Sequence, residues 1–444
     1  MIIKNGQVAL ADGVLVSADI RADGGRIAEI RVDLSGDDQE IDAQGLYVLP
    51  GGIDPHVHFD DPGYTHREDF YHGSCAAASG GITTVIDMPC TSVPPVTSRC
   101  NLAQKLQAIE HRSVTDFGLF GGVSAQSFEE DGFRYMAELA DSVVGFKTYF
   151  VSGMETFGRL NHYQFKCVLE QARDLGRPVL LHAEDYGYVA AATEVFMSEG
   201  DSPLHYYQSR PETTEVLAVL TAVELAEETG ADLHIVHVGT AAAAEILAQS
   251  RATCETCPHY LAFTVDDFVR IGSPLKVAPP IKSAENRGRL WKLVADGMIG
   301  FVASDHAPSP AREKATGSIW TDYGGIPGSG TLLPYVFSEG FAAGRLSLKR
   351  LLEVTSENAA KRYGIYDRKG SIAVGKDADF ALIDPQGEWV VQGSSFLSKG
   401  KITPFEGMVL KGRVVKTVLR GRVVYDLDEG VVAPAGYGQW LCPE

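Results

Sequence analysis

The feature that most constrains the fold is a regular alternation of apolar, β-branched segments with helix-like segments, which begins near residue 46. Strands that alternate with helices indicate βα units and a parallel sheet. Eight such units are the number found in a closed (β/α)8 barrel, so the sequence predicts an α/β fold of the TIM-barrel type. The eight strand candidates are residues 47–59, 82–88, 115–123, 143–150, 179–184, 232–238, 252–257 and 299–304.

Helix candidates lie between these strands, and several of them end at a glycine. They include residues 101–111, 163–175, 214–229 and 284–296. Gly176, Gly230 and Gly297 follow three of these segments. Glycine is favoured just past the end of a helix because it adopts a left-handed backbone without steric cost, so these positions mark helix ends.

The two ends of the chain differ from its centre, because they consist of short strand-like runs separated by glycine turns. Neither end has enough alternating sequence for a core of its own. We therefore expect residues 1–45 and 370–444 to pair into one small β-sandwich beside a barrel domain formed by residues 46–369.

Composition limits the partners of the chain. It carries 39 Lys and Arg against 58 Asp and Glu, a net charge of -19, whereas nucleic acids and anionic membranes attract clustered basic residues. The start of the chain has no signal-peptide pattern, and no apolar run approaches the roughly 18 residues that cross a bilayer. Seven mostly isolated cysteines suit free thiols. We expect a cytoplasmic protein that acts on a small molecule and binds neither nucleic acid nor membrane.

Two histidines stand at the end of the first predicted strand, in the segment Asp54-Pro55-His56-Val57-His58-Phe59. Alternate residues of a strand face the same side, so His56 and His58 both point into the mouth of the predicted barrel. Two converging imidazoles suit a borderline-soft divalent metal ion. The alternative is a pair of hydrogen-bonded histidines in the core.

Further ionisable residues lie at the C-terminal ends of later strands, where barrel enzymes carry their chemistry. They are Lys147, His182, His237 and Asp305. His234 and His237 are three residues apart and face opposite sides of their strand, so we place His237 in the mouth and His234 in a structural role. A buried lysine is costly as an ammonium and nucleophilic as an amine, so Lys147 could take up carbon dioxide as a carbamate, an anionic ligand.

The whole constellation resembles the amidohydrolase superfamily, and within it the cyclic amidohydrolases, a group of allantoinases, dihydroorotases and hydantoinases or dihydropyrimidinases. The motifs that carry the likeness are His56-Val57-His58, Gly145-Phe146-Lys147, His182, His237, Ser304-Asp305-His306-Ala307-Pro308, Gly80-Gly81-Ile82-Thr83-Thr84 and Gly375-Lys376-Asp377-Ala378-Asp379-Phe380. They span nearly the whole chain. The resemblance also implies a homodimer or homotetramer.

The resemblance implies two divalent metal ions, usually zinc, bridged by carboxylated Lys147 and a hydroxide that opens a cyclic amide. The first ion would be held by His56, His58 and Asp305, and the second by His182 and His237. Asp305 would also accept the proton of the hydroxide and pass it to the leaving nitrogen. His306 is the next candidate for that proton, although we expect it to be structural.

The identity of the ring is suggested by what stands after His58. Dihydroorotase-like sequences carry an arginine two residues after the second metal histidine, and here that position is Asp60. A carboxylate there would repel an anionic substrate in a low-dielectric mouth. Arg67 is the nearest basic residue downstream, and whether the loop folds it back into the pocket stays open. The substrate contacts we expect are Asp60, Cys90, Ser92, His259 and Gly325.

The loop at residues 90–95 matches allantoinases in length, and the segment 254–261 resembles allantoinases and hydantoinases more than dihydroorotases. The resemblance is closest to allantoinases and implies the conversion of allantoin to allantoate. Dihydroorotase and hydantoinase or dihydropyrimidinase activities are the alternatives. A non-catalytic scaffold is a further alternative, but such relatives lack the ligand histidines, whereas every ligand position in this sequence is filled.

Overall fold

The computed structural model describes residues 1–36 and 39–442. Its strands, numbered in chain order, are β1 Ile2–Ala9, β2 Leu15–Asp23, β3 Arg26–Arg31, β4 Glu40–Asp42, β5 Tyr47–Pro50, β6 Gly52–Val57, β7 Ile82–Asp87, β8 Asp116–Leu119, β9 Gly121–Gly122, β10 Phe146–Tyr149, β11 Val179–His182, β12 Leu233–Ile235, β13 Thr253–Thr256, β14 Phe301–Val302, β15 Phe380–Val390, β16 Val409–Leu419, β17 Arg422–Asp426 and β18 Gly430–Val431.

The α-helices are α1 Phe70–Ser79, α2 Arg99–Ile109, α3 Ala125–Leu139, α4 His162–Asp174, α5 Tyr186–Glu199, α6 Pro203–Ser209, α7 Glu212–Thr229, α8 Ala241–Leu247, α9 Pro258–Ala262, α10 Val265–Ile271, α11 Ala284–Ala295, α12 Ser329–Tyr335, α13 Leu348–Leu352 and α14 Asn358–Arg362. Short 3-10 turns occur at Ser273–Leu275, Ala311–Glu313 and Gly393–Ser395, and π-helical segments at Val336–Ala342 and Glu353–Glu357. Within the described ranges, no helix is long and apolar enough to cross a membrane.

Strands β6 to β14 form a parallel barrel. β6, β7 and β8 pair in sequence, β9 to β14 pair in sequence, and β8 and β9 are successive parts of one strand interrupted at Phe120. A parallel bridge between Val57 and His306 joins the first strand to the last, and the His58 N–H donates to the His306 carbonyl at 2.8 Å. The predicted TIM barrel is confirmed, and each predicted strand overlaps an observed one.

The predicted helices are observed as α2, α4, α7 and α11, with ends within two residues of those expected. The glycines that follow them have the left-handed backbone that their positions predicted. The φ angles are 65° at Gly176, 71° at Gly230 and 85° at Gly297.

The first predicted strand, residues 47–59, is in fact two strands in different sheets. β5 pairs with β1 and β15, whereas β6 pairs with β7 in the barrel. Gly51 separates them, and a Cβ built on Gly51 would stand 2.2 Å from Oγ1 of Thr83. Only glycine leaves room here for the side chain of Thr83, and Gly51 divides an apolar run that reads as continuous in the sequence.

Both ends of the chain contribute to the second sheet, whose strand order is β18-β17-β16-β15-β5-β1-β2-β3, with β4 beside β1. Side chains from both ends share one buried cluster, including Ile3, Val8, Ile20, Phe380 and Val418. The predicted β-sandwich of N- and C-terminal segments beside the barrel is confirmed. Its strands form one continuous hydrogen-bonded sheet.

The inside of the barrel is packed with apolar side chains, among them Ile53, Ile86, Phe120, Val144, Leu180, Val236 and Phe301. Leu441 belongs to the same buried cluster, and its backbone N–H donates to the carbonyl of Phe117 at 2.8 Å. Phe117 lies near the N-terminal end of β8, so the segment around Leu441 closes the base of the barrel. The C-terminal ends of the strands, where ionisable residues were predicted, form the opposite face.

Candidate metal centre

Three side chains converge where the first and last barrel strands meet. The Nε2 atoms of His56 and His58 each lie 3.3 Å from Oδ1 of Asp305. The ligand atoms of these three residues all lie within 4.8 Å of one another. Two imidazole nitrogens and one carboxylate oxygen are a donor set that divalent zinc and similar ions accept.

A second pair of histidines lies beside the first set. His182 ends β11, and its Nδ1 is 3.0 Å from Nε2 of His237, which follows β12. The rings of His237 and His56 have centroids 5.3 Å apart, so the two sets are neighbours. The prediction that His237 faces the mouth agrees with this placement.

Lys147 on β10 is fully buried, and its Nζ has no hydrogen-bond partner within residues 1–36 and 39–442. Burial penalises the ammonium form and lowers the pKa of Lys147 to about 8. Nζ lies 4.8 Å from the ring centroid of Tyr149. The neutral amine, the form that reacts with carbon dioxide, is therefore easier to reach in Lys147 than in an exposed lysine.

Two atoms of the cluster test whether it fits metal ions. Nε2 of His56 and Nζ of Lys147 are buried and have no hydrogen-bond partner in the described part of the chain. Buried polar atoms are normally hydrogen-bonded, so such atoms need an explanation. Cations held by imidazole, carboxylate and a lysine that can carry a carboxyl group would satisfy both, and the residues present therefore fit a binuclear centre.

Two buried glutamates contact ring nitrogens of these histidines. Oε1 of Glu255 lies 2.5 Å from Nδ1 of His56, and its Oε2 lies 3.3 Å from Nε2 of His234. Oε2 of Glu184 accepts from Nε2 of His182 at 2.9 Å. A carboxylate on one ring nitrogen leaves the other nitrogen free for a metal ion. His234 faces Glu255 instead of the mouth, in line with the structural role expected for it.

Sequence reasoning missed both glutamates, although a signal was present. Glu255 lies in the middle of the buried strand β13, where an ionised side chain is costly without a partner. Glu184 follows His182 by two residues, which places it on the same side if the extended backbone continues. An acidic residue inside an apolar run near ligand candidates was the available clue.

The backbone is strained at two residues of the cluster. His237 has a φ of 40° and Asp305 a φ of 49°, both in the left-handed region that residues other than glycine rarely adopt. Such conformations persist only where the surroundings enforce them, and they concentrate at functional sites.

His306, the alternative proton acceptor, has both ring nitrogens engaged. Nδ1 accepts from the backbone N–H groups of Gly328 and Ser329 at 3.2 and 3.1 Å. Nε2 lies 3.1 Å from Oε2 of Glu68. These contacts support the structural role that was expected for His306.

A cavity of about 500 Å³ opens over the cluster. Its wall includes His58, His182, His237, Asp305, Tyr64, Arg67, Thr91, Tyr149, Arg210, Tyr323 and Gly325. The loop after β6 therefore does bring Arg67 to the pocket, which the sequence left open. Of the expected substrate contacts, Gly325 lies on this wall.

The other expected contacts lie behind the cavity wall. Asp60 is fully buried, and burial raises the pKa of its carboxyl to about 8. Sγ of Cys90 lies 3.0 Å from the hydroxyl of Tyr149. Oγ of Ser92 accepts from Nζ of Lys105 at 2.6 Å, and His259 is buried against Tyr260 with ring centroids 4.3 Å apart. The structure does not place these four side chains on the surface of the cavity.

Comparison with known proteins gives a family match and similar relatives. Residues 47–424 match the amidohydrolase family. The chain is 39% identical over 445 residues to an allantoinase of Rubrobacter xylanophilus, covering 98% of this chain and 96% of the relative. It is 38% identical over 443 residues to an allantoinase of Solibacter usitatus, covering 98% and 95%.

Solved structures give the same grouping. The L-hydantoinase (dihydropyrimidinase) from Arthrobacter aurescens is similar with a TM-score of 0.94 and 34% identity, over 99% of each chain. The dihydropyrimidinase from Brevibacillus agri is similar with a TM-score of 0.92 and 29% identity, over 99% of this chain and 98% of that chain. With its barrel, its histidine cluster and these relatives, the chain belongs to the amidohydrolase family.

Proposed function

We propose that this protein is a metal-dependent hydrolase that opens the ring of a cyclic amide, and that its substrate is allantoin, which it converts to allantoate. The observation that carries this proposal is the convergence of four histidines, Asp305 and the buried Lys147 at the mouth of the barrel. Full-length similarity to allantoinases supports the choice of ring. A hydantoinase or dihydropyrimidinase activity is the second candidate, because similar solved structures carry those names.

The donor set supports two divalent ions, and zinc suits its nitrogen and oxygen ligands. His56, His58 and Asp305 would hold one ion, and His182 and His237 the other, with Lys147 joining them as a carbamate. Bound there, the ions would lower the pKa of a water molecule and polarise the carbonyl group of the ring.

Asp305 is placed to move the proton. Burial alone would raise the pKa of its carboxyl, but the adjacent His56 and His58 hold that pKa well below its usual range. Asp305 therefore starts as a carboxylate and takes a proton from the attacking water. It returns that proton to the ring nitrogen as the carbon–nitrogen bond breaks, acting first as a base and then as an acid.

A turnover panel tests the proposal. Metal-loaded protein is assayed with allantoin, hydantoin, dihydrouracil and dihydroorotate at neutral pH, and metal content is measured on the same sample. We expect two ions per chain and the highest kcat/KM with allantoin. A higher kcat/KM with hydantoin or dihydrouracil would favour the second candidate, and a chain that binds no metal and opens no ring would favour a scaffold.

We also propose that the protein works in the cytoplasm as a homodimer or homotetramer, without nucleic acid or membrane partners. Helix α5 supports self-association, since Val189 is its one buried residue and it exposes Tyr186, Tyr188, Val195 and Met197. Exposed apolar side chains in such number are a feature of protein interfaces. Within the described residues the cysteines are free thiols, which suits a reducing compartment. Light scattering during size-exclusion chromatography measures the assembly.

A further inference from the structure

We propose that Arg67 recognises the substituent of the substrate ring, by donating hydrogen bonds to an uncharged carbonyl oxygen on that substituent. The inference rests on the proposed function, because it concerns the same cavity, and it names the feature that separates one cyclic amide from another. A ureido arm, as in allantoin, offers such an oxygen. A carboxylate, as in dihydroorotate, offers the same geometry with a negative charge.

The first support is position. Arg67 lies in the loop between β6 and α1, and its side chain lines the cavity that also contains His58 and Asp305. Arg67 is therefore within the cavity but outside the set of candidate metal ligands.

The second support is rigidity. The Nε–H of Arg67 donates to Oε2 of Glu313 at 2.6 Å. Its guanidinium carbon lies 4.4 Å from the ring centroid of Tyr323 and 4.9 Å from that of Tyr64. Glu313 is itself fixed, since its Oε1 lies 2.9 Å from Nε2 of His66. A guanidinium held in this way loses little conformational entropy when it binds a ligand.

The third support is the set of donors that remain. The contact with Glu313 uses Nε, and neither Nη atom of Arg67 makes a hydrogen bond to the described residues. The side chain is 22% exposed and lines the cavity, so part of it can meet a ligand there. A planar pair of N–H donors matches a carbonyl or carboxyl oxygen better than the single ammonium of a lysine.

The charges around Arg67 favour the oxygen of an uncharged carbonyl group over that of a carboxylate. The positive charge of Arg67 is balanced by Glu313, and that of Arg210, the other arginine on the described cavity wall, is balanced by Glu184 at 2.5 Å. The wall thus offers donors without a net positive charge, which favours an uncharged acceptor over a carboxylate.

Binding measurements test this independently of turnover. In an Asp305→Asn background, the Kd values of allantoin and of hydantoin, which lacks the arm, are measured by calorimetry with and without Arg67→Met. We expect Arg67→Met to raise the Kd of allantoin about tenfold to a hundredfold, which is the loss expected for a hydrogen bond from a charged donor. The Kd of hydantoin should change less than about threefold. Equal losses for both rings, no loss for either, or no allantoin binding while Arg67 is intact would overturn the inference.

Two further variants complete the design. Arg67→Lys keeps a cation beside Glu313 but lacks the planar pair of donors, so the binding of allantoin should weaken in this variant as well. This result tests the proposal even if Arg67→Met folds poorly. Arg134→Met is the matched control, because Arg134 lies on α3 with its side chain 56% exposed and paired to Asp131 and Glu138. It should leave both Kd values unchanged.

The Glu313→Gln variant tests whether Arg67 prefers the oxygen of an uncharged carbonyl group to that of a carboxylate. This variant leaves the charge of Arg67 unbalanced. The ratio of the Kd of dihydroorotate to the Kd of allantoin should therefore be lower in the variant than in the protein without the substitution. An unchanged ratio would overturn the charge argument. If hydantoin is opened faster than allantoin, yet allantoin binding still depends on Arg67, the proposed substrate fails while the role of Arg67 stands.

Discussion

Nδ1 of His56 lies 2.5 Å from Oε1 of Glu255, and the same oxygen lies 3.4 Å from the backbone nitrogen of His237. One buried carboxylate therefore contacts a residue of each candidate metal site. Burial raises the pKa of Glu255, and in its ionised form the side chain can only accept; this contact then places the proton of His56 on Nδ1 and leaves Nε2 free to bind a metal ion.

Replacing this carboxylate should weaken metal binding more than it disturbs the fold. We expect Glu255→Gln to reduce metal affinity by about 10- to 100-fold, the usual effect of losing such a partner, as measured by titration against a chelator. Glu184→Gln is the matched comparison, since Glu184 contacts His182 and should affect the other site. If both variants retain two ions at the parent affinity, the glutamates do not orient the ligands.

The candidate bridge at Lys147 can be tested by chemical rescue. We expect Lys147→Ala to lose most of its bound metal and its activity, because no other side chain replaces the carbamate oxygens. A short-chain carboxylate in the medium should partly restore both, while the parent protein treated in the same way should not change. A variant that keeps two ions and normal turnover without rescue would remove Lys147 from the site.

The Asp305→Asn variant tests the role of Asp305 in proton transfer separately from its role in the fold. The amide keeps the shape and one oxygen of the carboxylate but cannot take a proton, so kcat should fall by roughly 10² to 10⁴ while the circular dichroism spectrum is retained. Near-normal turnover would mean that another group carries the proton. His306 is poorly placed to do so, because its ring is held by Glu68 and by two backbone N–H groups.

Lys314 gives a prediction for the pH dependence of stability. Burial, with repulsion from Lys276, lowers the pKa of Lys314 to about 7, although Asp322 opposes the shift. The unfolded lysine titrates near 10.4, so between these values the unfolded chain binds more protons. Stability therefore rises with pH in this window, by up to about 1.4 kcal/mol per pH unit for this group.

Denaturant unfolding at pH 7 and pH 9 checks this prediction by difference. The gain in the free energy of unfolding should be smaller in Lys314→Met than in the parent, because the variant lacks the titrating group. Groups that do not interact with Lys314 contribute equally to both proteins, whereas Lys276 loses a repulsive neighbour in the variant. A parent whose stability is no more pH-dependent than the variant would contradict a lowered pKa at Lys314.

The sequence predicted the parts of the site that depend on strand order and alternation. His56, His58, His182 and His237 lie where a βα barrel must bring them, since the ends of its parallel strands meet at one face. The same reasoning wrongly joined Tyr47–Pro50 and Gly52–Val57 into one strand, because the break between them depends on the contact between Gly51 and Thr83 in another unit. The division of the chain at residues 45 and 370 stays a prediction.

The contacts beyond the ligands were harder to predict because they depend on side chains distant in sequence. Ser92 faces Lys105, and Arg67 reaches the cavity through Glu313, which lies after the last barrel strand. A loop read by itself shows neither partner. Position relative to a strand end therefore predicts a ligand well, whereas the wall of a cavity is set by tertiary packing.

The packing of Leu441 among the side chains inside the barrel bears on how the chain is made. All the barrel strands leave the ribosome well before Leu441 does, so a nascent barrel has an open base and exposes apolar residues such as Ile53 and Phe120. Exposed surface of this kind makes an incomplete chain prone to aggregation and a client for chaperones. The barrel therefore reaches its native packing only after residue 441 has left the ribosome, later than any of its own strands.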